Sequence, residues 1–172
     1  MTRRPRRSEM VADATLVSLA AARQAVKNVM LVRALRDTAD FDEGWYADAA
    51  RRELELLAHE AEVEAARLRE VREATRRRRG VARAADDYRA ADGRRLKRRA
   101  RVLEELAERL AHLARDDAAV GGLITEARLR ALDEIAAATA SVPGVGRSRA
   151  ATGIARSRAL QSLREELSDY AD

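Results

Sequence analysis

The chain has 172 residues, a formal net charge of +5, 37% charged and 47% apolar residues, 3% aromatics and no cysteine. Such a length suits one domain, and an ordinary apolar fraction argues against wholesale disorder. Zero Cys excludes disulfides, Cys-ligated zinc, iron–sulfur clusters and a thiol nucleophile, and no run of 18 residues lacks a charge, so no transmembrane helix is expected.

The apolar residues are mostly Ala and Leu, with few β-branched side chains, which predicts an all-α fold without strands. Lys27 and Lys97 are the only lysines; every other basic residue is Arg. Arg codons are mostly GC-rich, so the placement of the Arg residues says more than their number.

Residues 1–9 (MTRRPRRSE) read as a disordered basic arm, because Pro5 and the Arg residues around it oppose a helix start before about Ser8. A secretory signal would follow such an arm with an unbroken apolar core, whereas Asp13, Ser18, Arg23, Gln24, Lys27 and Asn28 interrupt it. Helix 1 is predicted from about 10 to 36. One stripe holds Leu16, Leu19, Val26 and Met30; a second holds Val17, Leu31 and Leu35 beside Ala20 and Ala21. A helix apolar on two sides needs two neighbours, so it should sit between the rest of the fold and another helix or a second subunit.

Asp37 to Gly44 breaks the helix, with Asp42 as the next N-cap and Trp45 and Tyr46 closing one end of the core. Helix 2 is predicted over 44–79. Ala50, Leu54, Leu57, Ala61, Glu64, Leu68, Val71 and Thr75 repeat with a seven-residue period, the pattern of two helices packing side by side. Helix 3 is clearest from Leu96 to Asp117, through Arg99, Leu103, Leu106, Leu110 and Leu113. These helices form a long antiparallel hairpin, coiled-coil-like. A tight turn at Gly80 brings Glu64 to Arg99 as a pair of stripe positions; a longer loop over 80–93 brings Glu64 to Leu106. The tight turn is preferred because an unpaired buried carboxylate is costly.

Gly121-Gly122 is expected to end helix 3 or form the joint after it. Helix 4 follows over about 123–140, with Ile124, Leu132 and Ile135 as its stripe. The helical bundle then spans 10–141, followed by a Pro/Gly turn at 142–147 and a C-terminal helix or tail at 148–172. That last segment carries Leu160, Leu163 and Leu167; it is basic early and acidic late, the wrong order for its own dipole.

The sharpest chemical feature is the hairpin tip, about 76–101. It holds twelve basic residues, among them Arg76, Arg77, Arg78, Arg79, Arg94, Arg95, Lys97, Arg98 and Arg101, against only Asp86, Asp87 and Asp92. Like charges packed so closely suit an anionic partner: the phosphate backbone of RNA or DNA fits, and so does an acidic protein or lipid surface. Tyr88 alone is available there for base stacking, so base-specific recognition is not expected.

Val142-Pro143-Gly144-Val145-Gly146, with Ala150 and Ile154 beyond, resembles the turn of the helix-hairpin-helix DNA-binding motif. The resemblance covers about 16 residues. It implies that amides at Gly144, Val145 and Gly146 hold a phosphate without reading sequence. Thr139 stands where that motif usually has an aliphatic residue, and Gly153 weakens the second helix.

Glu55/His59 and Glu108/His112 lie four apart and outside the apolar stripes, so they read as surface pairs rather than metal ligands. Asp37, Asp40, Asp42 and Glu43 do not follow the calcium-loop order. With no phosphate loop, nucleophile elbow or Ser/His/Asp set, no catalysis, cofactor or metal is expected. The chain is expected to be a cytoplasmic, non-enzymatic interaction or scaffold protein whose basic tip docks on a polyanion. A self-assembling coiled-coil adaptor, or DNA binding through the Gly144–Gly146 turn, are the alternatives.

Overall fold

The structure is a computed structural model that describes residues 5–37, 40–78 and 86–140; for residues 37, 78, 86–91, 139 and 140 only the backbone is described. The protein is all-α. Helix α1 (Arg7–Val32) closes in a π-helical turn over Arg33–Asp37, followed by α2 (Glu43–Arg78), α3 (Asp86–Arg115) and α4 (Asp117–Ala140). No strand occurs among the described residues. The turn at Gly80, residues 1–4 of the arm and everything after Ala140, including Gly144, Val145, Gly146 and 148–172, lie outside the described residues.

Local capping sets the starts of three of the four described α-helices. Helix α1 starts earlier than expected, and Arg7 to Glu9, read as part of the arm, form its first turn. The reason is Glu9, whose Oε2 accepts the Arg6 backbone N–H at 2.6 Å and so satisfies a donor that the helix start would leave open. Asp42 caps α2 as expected, its Oδ1 accepting the Trp45 N–H at 3.0 Å. Helix α3 begins at Asp86, so the Ala-rich stretch before Leu96 is helical from there and Gly93 lies inside the helix, which removes the long loop over 80–93.

The joint between α3 and α4 is Asp116, not Gly121-Gly122. The Asp116 carboxylate accepts the N–H groups of Ala118 at 3.0 Å and Ala119 at 3.4 Å, a strong cap for a new helix. Both glycines lie inside α4, with open space where a side chain would go. Glycine permits a break, but here the capping side chain decides where it falls.

One residue is too short a connection for α4 to fold back on α3. Helix α1 pairs successively with Glu105 through Arg7, with Glu126 through Arg23 and with Glu134 through Lys27. Residue numbers rise together on both sides, so α1 runs parallel first to α3 and then to α4. Helix α2 runs the other way: Arg69 meets Glu104, and Arg51 Nη2 reaches Asp117 Oδ1 at 2.7 Å. Helix α4 thus prolongs the line of α3, and both pack with α1 and α2.

The core is Ala-rich. Leu54, Leu110, Val26 and Val120 are its largest fully buried side chains, and Ala22, Ala50, Ala58, Ala107, Ala114 and Ala127 let the helices approach closely. Two expected stripe positions of α2 and α3 fail. Val71 is 45% exposed, and Arg99 is exposed, because Ala65, Leu68 and Ala100 take the buried positions nearby. Arg99 Nη2 still lies 3.9 Å from Glu64 Oε1, but at the rim of the interface; Glu64 also lies 3.6 Å from Arg67. In α1, Val26 and Met30 point inward as expected, whereas Leu16 and Val17 are 67% and 70% exposed.

Candidate polyanion interface

Arg94, Lys97, Arg98 and Arg101 are spaced three, four and seven apart, so one face of α3 presents all four. The start of α1 comes to the same place. The Arg98 guanidinium donates to the Pro5 carbonyl, and Arg7 Nη2 pairs with Glu105 Oε1 at 2.8 Å. The result is an open groove whose described lining is Arg7, Arg94, Lys97, Arg98 and Arg101, with Glu105 beside it on Arg7. Lys97 and Arg101 also border a second cavity on the α2 side, with Arg69, Arg72, Glu73 and Glu104.

Of the seven expected basic residues whose side chains are described, four line this groove. Arg95 is exposed on α3 but lies outside the groove lining. Arg76 and Arg77 are exposed near the end of α2, and Arg77 Nη2 stands 3.7 Å from Glu73 Oε2. The side chain of Arg78, and Arg79 altogether, lie outside the described residues.

Sequence reasoning missed Arg7, which it left in the arm. The available signal was Glu9, three residues past Arg6, the spacing of a capping box. Once Glu9 starts the helix at Arg7, that side chain is fixed beside α3.

Chemically, the groove offers guanidinium forks and one ammonium around an open trough. Guanidinium binds phosphate oxygens in pairs, and the Lys ammonium adds a point charge. Neither group supplies a nucleophile or a general base at neutral pH.

Aromatic residues sit elsewhere. Phe41 stacks on Tyr46 at 5.1 Å between centroids, and Trp45 meets Tyr46 edge-on at 5.2 Å. Arg33 lies 4.1 Å over the Trp45 ring, and Arg128 lies 4.2 Å over Phe41. Tyr46 is buried, as expected of a residue closing the core, while Trp45 is 38% exposed. Burial raises the Tyr46 phenol above its ordinary pKa; Arg33 opposes that shift and Asp42 adds to it. These cations pack on the aromatic rings at this end of the bundle.

Glu55, His59, Glu108 and His112 are all exposed, on the outer face where the stripe spacing puts them. Against protein-family models, curated proteins and solved structures, the chain matches none.

Proposed function

We propose that the chain is a non-enzymatic helical interaction protein that docks on nucleic-acid phosphate through Arg7, Arg94, Lys97, Arg98 and Arg101. The observation that carries this is a groove whose lining, among the described residues, is five cations and no carboxylate. Fixed positive side chains on rigid helices lose less freedom on meeting an anion than scattered surface residues do. The helical frame sets the spacing of four of them, and the Arg98–Pro5 contact holds the fifth nearby.

Recognition by such a groove positions the phosphate backbone and reads no bases. The described aromatic side chains, Phe41, Trp45 and Tyr46, pack around Arg33 and Arg128 and are not offered for stacking beside the groove. The same proposal puts the protein in the cytoplasm, where RNA and DNA-containing assemblies are available.

The test is direct binding to two duplexes of unrelated sequence at near-physiological salt, followed by fluorescence anisotropy. Changing Arg94, Lys97, Arg98 and Arg101 together to Gln is expected to weaken both by the same factor, at least about tenfold. The pair Arg52→Gln and Arg130→Gln, on exposed positions of α2 and α4, is the control. No binding by the unaltered protein, or an equal loss in the control, overturns the proposal.

A further inference from the structure

Helix α1 carries an uncharged surface that no described element covers. Every exposed position between Ala14 and Leu35 is neutral: Leu16, Val17, Ala20, Ala21, Val32 and Leu35, with Gln24 and Asn28 bonded to each other at 3.1 Å. Leu16, Val17, Val32 and Leu35 are each more than half exposed. The three charges of that stretch point elsewhere, Arg23 to Glu126, Lys27 to Glu134 and Arg33 to Trp45. A neutral strip of this length, roughly 30 Å by helical rise, needs a cover in an otherwise highly charged protein.

We propose that the cover is the chain's own segment 148–172, packed as a helix antiparallel along this face of α1. Three observations select this occupant. The first is position. Glu134 meets Lys27, and α4 runs parallel to α1, so Ala140 leaves the bundle near the Val32–Leu35 end of the strip. The following Ser141 to Gly146, with Pro143, Gly144 and Gly146, has the composition of a reversal.

The second is length and pattern. Twenty-five residues of helix reach about 37 Å, enough to run the strip. If Ser148 lies level with Leu35, antiparallel pairing sets Leu163 level with Ala20 and Leu167 level with Leu16.

The third is charge order. The segment is basic early, at Arg149, Arg156 and Arg158 after Arg147, and acidic late, at Glu165, Glu166, Asp169 and Asp172 with Arg164 as the one basic residue among them. That order is unfavourable for its own dipole but suits an antiparallel neighbour. Its basic start lies at the negative end of the α1 dipole, and its acidic end at the positive end, near Arg6 and Arg7.

The chain has no native cysteine, so single thiols report cleanly on this face. In the full chain, Leu16→Cys is expected to react with a maleimide at least about tenfold more slowly than the same variant carrying Leu160→Asp, Leu163→Asp and Leu167→Asp. A second variant, Ala20→Cys with Leu163→Cys, is expected to oxidise to a disulfide within one chain at low protein concentration. Rapid labelling of Leu16→Cys in the otherwise unaltered chain overturns the proposal. So does protection that survives the triple change and disappears on dilution, which assigns the face to a second copy. A disulfide that forms only between chains, or not at all, also overturns it.

Discussion

The Lys27 ammonium is buried between α1 and α4 and finds its counter-charge in Glu134, whose own side chain is 54% exposed. The pair is thus unequal, one partner buried and the other half in water. Truncating the exposed partner leaves a buried cation unpaired, whereas removing the cation leaves a carboxylate that water solvates. Glu134→Gln is expected to lower stability by about 1 kcal/mol, reduced from the buried-pair figure by the exposure of Glu134. Lys27→Met, which keeps the packing stem, is expected to change stability by less than about 0.5 kcal/mol or to raise it. Urea unfolding of the two variants checks the order.

The Asp116 joint makes a prediction that opposes glycine intuition. Asp116→Ala removes the cap on Ala118 and Ala119 and is expected to cost about 1 kcal/mol. Gly121→Ala and Gly122→Ala meet open space inside α4 and are each expected to gain about 0.5–1 kcal/mol. Denaturant midpoints at unchanged slope would show both effects. A destabilised Gly121→Ala would mean that the glycine is needed as a hinge.

Tyr46 gives the protein a limit at high pH. Its folded-state pKa is raised above the ordinary value of 10.0, chiefly by burial. In that case stability is fully present below the unfolded pKa and is lost as pH rises from there through the folded one, because the unfolded chain ionises first. Stability is expected to fall above pH 10 in the unaltered protein and to fall less steeply in Tyr46→Phe. Chemical denaturation between pH 9 and 11, with phenolate absorbance followed in parallel, measures both.

The helical fold was legible because Leu54, Ala61, Leu68, Leu106 and Leu110 repeat at helical spacing and are buried where that spacing puts them. The path of the chain was less legible. Gly121-Gly122 looked like the joint, but it has no side chain to choose a conformation, while Asp116 does. Arg99 and Val71 kept the period yet lie outside the core, because small residues such as Ala65 and Ala100 carry the close contact and barely mark a hydrophobic pattern. The basic cluster could be seen in the sequence as a total of charges. That four of its residues share a groove with Arg7 could not, because Arg7 is 87 residues or more away along the chain and joins α3 only after folding.

The most direct measurement on the groove is the salt dependence of binding to a duplex. Each phosphate contact contributes a slope of roughly 0.9 in log affinity against log salt. Replacing Arg94, Lys97, Arg98 and Arg101 with Gln should flatten that slope by roughly three to four, equally for unrelated duplex sequences, while circular dichroism stays helical. An unchanged slope in a folded variant would contradict a phosphate-binding groove built on α1 and α3.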